Sequence, residues 1–190
     1  VRPGGYHREF DVEPDVAVYG KAIGNGYPIA AVVGKRAIMV EAQQSFISST
    51  FWTERIGPAA ALATIEKFHQ QDVGDHLVAI GEQITSGWLD LAEDNGVPIE
   101  TKGLKPLTTF MIDHDDGQEA TTLFTQEMLE RGYLAGNSVY VSLAHTPEIV
   151  SAYLETVDDV FGILADALAA GEVHERLDGP VTHTKFERLN

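Results

Sequence analysis

The sequence predicts an α/β fold whose last part is a small α+β unit. Three observations carry that expectation. Two short apolar runs, Val16–Tyr19 and Ile29–Val33, bracket a glycine-rich loop and read as buried strands. Two helical stretches follow, one opened by Pro58 and one over 73–95. After Asn95-Gly96 the pattern shifts to short strands and amphipathic helices, which places a domain boundary between residues 96 and 97 and gives domains 1–96 and 97–190.

Each element has a local reason. Residues 1–15 are rich in glycine, proline and charge and read as loop. Gly20 ends the first strand and Gly34 the second, and 35–43 is expected to form a short helix. Ser45–Thr53 is polar and aromatic and reads as loop. Pro58 suits the first turn of a helix because its missing N–H has no intrahelical partner there. That helix runs through Ala59–Leu62, Ile65 and Phe68. The next places Val78, Ile80, Ile84, Trp88 and Leu91 on its apolar side and stops at Asn95-Gly96. Leu107–Ile112 is a predicted strand, 113–117 a turn and Thr121–Arg131 a helix ended by Gly132. Short strands are expected at Tyr133–Ala135 and Val139–Leu143, then a long helix from Pro147 to about Ala170. The polar tail, 171–190, is expected to be loosely held. Two strands alone do not make a stable sheet, so the first unit is expected to need strands from elsewhere.

Composition removes several functions. Hydrophobic residues make up 44% of the 190, enough for a folded core. The absence of cysteine excludes disulfides, thiol nucleophiles and thiolate metal sites. A net charge of −16 repels phosphate backbones and anionic bilayers, so neither nucleic acid nor membrane is an expected partner. No apolar run is long enough to span a bilayer, and Val1–Gly5 lacks a leader pattern, which points to the cytoplasm. Dense carboxylates also suit a salt-rich cytoplasm; equal stability and solubility at low and multimolar salt would remove that reading.

Lys21 is the most informative residue. It follows a predicted buried strand and sits in a glycine-rich loop, where ligand sites of α/β sheets gather. A lysine partly desolvated there would lose its proton more readily and attack aldehydes. The alternative is a solvent-exposed lysine in a turn. Two phosphate-binding motifs fail. A P-loop would need glycine at 15 and Ser or Thr at 22, where Asp15 and Ala22 stand. A dinucleotide fingerprint from Gly24-Asn25-Gly26 would need a small residue at 29, where Ile29 stands. Asp113-His114-Asp115-Asp116-Gly117 looks calcium-like, but the glycine comes one place early and Phe124 stands where the final glutamate belongs, so a solvated turn is expected and no metal site. His174 and His183 have no metal-ligand spacing.

The run from Pro14-Asp15 through Gly20-Lys21, Gly24, Gly26, Tyr27-Pro28, Ala30-Ala31 and Gly34 resembles the Schiff-base segment of class III aminotransferases and the related glutamate-1-semialdehyde aminomutases. The resemblance implies a fold-type I transferase, here the end of the large domain followed by the small C-terminal domain. It implies pyridoxal 5′-phosphate as cofactor, held by Lys21, which also moves the substrate proton. Thr50-Phe51 stands where the family has a threonine that donates to the cofactor phosphate of the neighbouring subunit, which implies an isologous homodimer with a shared site. The family often continues with Ser-Gly-Asn-Pro; here Trp52-Thr53-Glu54-Arg55 follows. Arg55 could clamp a substrate carboxylate, or pair at the surface with Glu54 or Glu66. Ser142-Leu143-Ala144-His145-Thr146 resembles the last strand of the aminomutase-like branch, which makes His145 a second substrate-side candidate beside its reading as a local cap.

The family's aspartate beneath the pyridine nitrogen, its stacking aromatic and its phosphate loop all precede the lysine and have no counterpart in these residues. The expected reaction is therefore that of a larger enzyme: transamination between an amine or amino acid and a carbonyl acceptor. Two alternatives stand beside it, an intramolecular 2,1-amino shift and an inactive dimerising fragment.

Overall fold

The apolar run Val16–Tyr19 forms β1 in the computed structural model, which describes residues 4–48 and 50–183. β1 pairs antiparallel with β2, Ala31–Gly34, with Val16 opposite Gly34 and Tyr19 opposite Ala31. Asp15 fastens the open end of this ribbon. Its carbonyl accepts from the Lys35 N–H at 2.9 Å and its carboxylate pairs with Lys35 Nζ at 2.8 Å. Both strands were expected to be buried, and they are not. Val16, Val18, Val32 and Val33 are all exposed, because no other described strand or helix covers both faces of a two-stranded ribbon.

After the ribbon come the short helix α1, Arg36–Met39, and a 3-10 segment over Val40–Gln44. α2 runs Ile56–Gln70 and α3 runs Val73–Asn95. α2 starts two residues before the expected Pro58, which therefore lies within its first turn.

The remaining elements are β3 (Ile99–Leu104), β4 (Leu107–Ile112), α4 (Gly117–Glu130), β5 (Ser138–Tyr140) and α5 (Pro147–Ala170). They build an antiparallel sheet in the order β3-β4-β5. β3 escaped the sequence reading because Glu100, Lys102 and Gly103 dilute its apolar pattern; pairing with β4, Ile99 opposite Ile112, decides it. Tyr133–Ala135 is not a strand, and β5 is shorter than expected because only Ser138–Tyr140 reaches β4.

The chain separates into two units, Val1–Asp75 and His76–Asn190. This division falls before most of α3, whereas composition placed it at 96/97. The reason is where α3 buries its apolar side. Ile80, Ile84, Trp88 and Ala92 enter the same core as Phe110, Leu123, Phe124 and Phe161. Phe110 sits at the centre of that core, edge-on to Trp88 at 4.9 Å, to Phe124 at 5.0 Å and to Phe161 at 5.8 Å. Trp88 donates its indole N–H to the Tyr153 hydroxyl at 3.0 Å, so the largest core side chain leaves no polar atom unpaired.

Both ends of α5 are closed. Thr146 caps α5 by accepting from the Ile149 N–H, Pro147 takes its first position, and Gly171 at φ 66° ends it. The tail is better held than its polarity suggested. Val173 is buried, Gln126 bridges the Arg176 carbonyl and the Asp178 N–H, and Gln118 donates to Thr182. Residues 184–190 of that tail lie outside the described residues. Among the described residues, no helix is long and apolar enough to cross a membrane.

Candidate functional site

Lys21 directly follows β1 and Gly20, and opens a 3-10 turn, Lys21–Ile23, closed by the Gly24 N–H donating to the Lys21 carbonyl at 3.1 Å. Its φ is +50°. A side chain with a full Cβ rarely adopts that conformation, which costs on the order of 1–3 kcal/mol, and such strain gathers at functional positions. The neighbouring glycines hold it there. A Cβ on Gly24 would fall 2.2 Å from the Tyr27 carbonyl oxygen, so only glycine fits, and Gly26 has φ +104°. Gly20 differs, since a Cβ there would meet nothing within 4 Å.

Beside the lysine lies an open hollow of about 450 Å³ lined by Lys21, Ala22, Asn25, Gly26, Tyr27 and Pro28. Lys21 itself is exposed, which corrects the expected partial desolvation: within these residues nothing apolar closes over it. Among the described residues its amine makes no hydrogen bond or ion pair.

Thr50 lies on the approach to α2 and is exposed; among the described residues its hydroxyl has no hydrogen-bond partner. The chain then turns, with the Glu54 N–H donating to the Phe51 carbonyl at 3.0 Å. The Glu54 carboxylate accepts from the Ile56 N–H and, at 3.0 Å, from the Gly57 N–H. These backbone donors hold its pKa below the usual carboxylate value.

Arg55 is exposed, and its side chain makes no ion pair among the described residues. The expected surface pairing with Glu54 or Glu66 does not form. Glu54 is turned onto the helix start, and Glu66 accepts from the Gln70 amide at 3.0 Å.

Gly57 joins these two segments. It is buried in the first turn of α2, and a Cβ added to it would sit 3.2 Å from the Ile29 Cβ and 3.4 Å from the Pro28 carbonyl oxygen. The loop after Lys21 therefore abuts the helix that the Thr50 loop leads into. Sequence reading missed Glu54. The signal was an acid just before the first helical residue, where a helix N-terminus favours negative charge, but serine and threonine were weighed as caps instead.

His145 lies in the other unit, half-buried, where its Nδ1 accepts from the Ser142 N–H at 3.0 Å and closes the turn before α5. The Asp113–Gly117 segment is a turn, with the Gly117 N–H donating to the His114 carbonyl at 2.9 Å. Among the described residues no three His, Asp or Glu side chains are grouped to hold a metal ion.

Comparison with known proteins gives the family. Residues 5–168 match the family model described as aminotransferase class-III. The chain is 32% identical over 163 residues to a 3-aminobutyryl-CoA aminotransferase of Cloacimonas acidaminovorans, covering 81% of the chain and 39% of that relative. It is 30% identical over 174 residues to a glutamate-1-semialdehyde 2,1-aminomutase of Desulfitobacterium hafniense, covering 83% of the chain and 40% of the relative. Among solved structures, the PLP internal aldimine form of the Sphingopyxis sp. MTA144 FumI protein matches with a TM-score of 0.78 at 24% identity, over 86% of the chain and 40% of the neighbour. The chain belongs to the class-III aminotransferase family. It has the fold of the corresponding part of fold-type I transferases and spans about 40% of the relatives it matches.

Proposed function

We propose that this chain carries the cofactor lysine of a pyridoxal-phosphate-dependent transaminase acting on a small amine or amino acid and a carbonyl acceptor. The observation that carries the reading is Lys21: an uncommitted amine at a left-handed backbone position, beside an open hollow, within the residues that match the family model. The residues present fit the cofactor. Gly20 has open space where a flat ring could approach, and nothing competes for Nζ among the described residues.

When bound, pyridoxal phosphate supplies the electron sink that stabilises negative charge on the substrate carbon. Lys21 Nζ would hold its aldehyde carbon, and would be the group that takes the substrate's carbon-bound proton and returns it at another atom. Thr50 donates a hydrogen bond to the phosphate held by a second copy of the chain, so the working unit is a homodimer with shared sites. Arg55, unpaired, is available for a substrate carboxylate, and we rank it above His145, whose Nδ1 is already used to close a turn.

A second reading is the intramolecular 2,1-amino shift. It is supported by the aminomutase relative and by the Ser142–Thr146 motif. The two reactions separate on whether a 2-amino aldehyde rearranges without a second substrate.

Absorbance after addition of pyridoxal phosphate, then borohydride reduction and peptide mapping, tests the proposal. It is run on this chain and on the longest form of its gene product. The expected result is a visible band and a reduced adduct on Lys21 in the longer form, both absent in K21A. A band in the longer form only would mark this chain as an inactive fragment of a working enzyme. The absence of band and adduct in both forms would leave a dimerising, non-catalytic role. Sharing of the site is read by mixing K21A and T50A subunits. Random exchange should restore about a quarter of the wild-type sites, since one site of each mixed dimer is intact; no recovery would place both residues in one subunit's site.

A further inference from the structure

We infer that Glu54 is the positioning residue of the Thr50 loop, fastening it to the first turn of α2 at the point where that turn meets the Lys21 loop. The inference rests on the reading of Thr50 as a phosphate ligand.

The backbone accounting shows why this contact matters. A helix start leaves its first N–H groups without intrahelical partners. In α2 those groups belong to Ile56 and Gly57, because Pro58 has no N–H and Ala59 already donates to the Arg55 carbonyl at 3.0 Å. The cap residue, Arg55, offers no side-chain acceptor. Glu54 supplies both acceptors with one carboxylate, one oxygen to each N–H. Its own N–H meanwhile closes the turn from Phe51. The segment from Phe51, next to Thr50, to the helix is thus held at both ends by one residue, with a charge-assisted contact at the helix end.

Location adds a second consequence. Gly57, which Glu54 binds, is also the residue lying against Ile29 and the Pro28 carbonyl. One buried glycine therefore fixes the Thr50 approach relative to the loop that carries Lys21. Phe46, Phe51 and Trp52 cannot do this, since all three are largely exposed. Glu54 touches no cofactor; it acts through Thr50.

The test compares the longest gene product, freed of cofactor, as wild type, T50A, E54A, E54Q and T50A/E54A. Binding of pyridoxal 5′-phosphate is measured against binding of pyridoxal, which lacks the phosphate. The expected result is a roughly tenfold loss of phosphate-form affinity in E54A, a smaller loss in E54Q, unchanged pyridoxal binding in both, and no further loss when E54A is added to T50A. Amide hydrogen exchange at Ile56 and Gly57 should speed up in E54A. Equal weakening of both ligands, or independent losses in the double variant, would overturn the inference even if T50A alone weakens the phosphate form. A T50A protein that binds both forms like wild type would overturn it together with the Thr50 reading. E54Q, which keeps one acceptor, serves if E54A does not fold.

Discussion

The two units solve opposite problems. The unit from His76 onward encloses an aromatic centre in which Trp88, Phe110, Phe124 and Phe161 are fully buried, and both ends of α5 are closed by capping residues. The unit up to Asp75 does the reverse. Its ribbon exposes Val18 at 71% and its helix approach exposes Trp52 at 67%, while its buried positions are largely small, Gly24, Gly57 and Ala61. Strain follows the same division. Among the described residues, all four non-glycine positions with positive φ, Lys21 among them, lie before residue 76. The tightly packed core lies in one unit, and the left-handed non-glycine positions and most of the exposed large apolar side chains lie in the other.

The largest expected effect breaks that division on its chemical side. K21A should lower turnover of the longest gene product by about 10²–10⁴-fold, the range for losing a positioned proton-transfer group, while its thermal unfolding stays close to wild type. Calorimetry on the same sample checks the second half, and a large drop in Tm would show that Lys21 is structural. On the other side, F110A should cost about 3–5 kcal/mol of stability, because Phe110 contacts three further aromatic rings and has no exposed surface. Urea denaturation followed by Trp88 fluorescence would measure it; a loss under about 1 kcal/mol would mean that the core repacks.

A matched pair sharpens the comparison. Val157→Thr places a hydroxyl at a fully buried position of α5 and should cost about 1–3 kcal/mol, the lower end applying if the hydroxyl finds the carbonyl one turn back. Val18→Thr makes the same chemical change at an exposed site and should stay within about 0.5 kcal/mol. If Val18→Thr proved as costly in the longest gene product, the ribbon would be covered there, and the contrast between the units would belong to these residues alone.

How much of this was legible depended on where the governing contact lies. α3 and α5 read correctly to the residue, because their apolar periodicity and end signals, Gly96 and the Thr146-Pro147 pair, are local. β1 and β4 also read correctly as elements. β3 did not, since its charged and glycine positions become strand only through pairing with β4. The depth of β1 and β2 was misjudged for a related reason: an apolar strand states that it needs cover, and says nothing of what supplies it. At the candidate site, Lys21 and Thr50 were picked out by motif, whereas the free state of Arg55 and the capping by Glu54 depend on geometry. Glu54 could serve either Arg55 or the helix start, and only the fold shows which.

The smallest effect concerns Tyr153, which joins α5 to α3 by accepting from Trp88. The residue keeps some exposed surface, but burial of its hydroxyl pushes its pKa from the usual 10.0 up to about 12, against a weaker lowering by the Trp88 N–H. The sign follows from the protonated phenol being the neutral form that the core accepts. The unfolded chain gives up this proton near pH 10, while the folded one keeps it until about 12. Below pH 10 the contribution is fully present; between 10 and 12 the unfolded state is increasingly favoured and stability falls. Y153F should be less stable than wild type at neutral pH by about 1 kcal/mol, because the Trp88 indole N–H loses its acceptor. It should also lose part of the alkaline decline, so that the two curves approach each other as pH rises. Parallel curves through that window would show that the Tyr153 hydroxyl reaches solvent, and that the buried centre around Trp88 is less closed on its α5 side than on its β4 side.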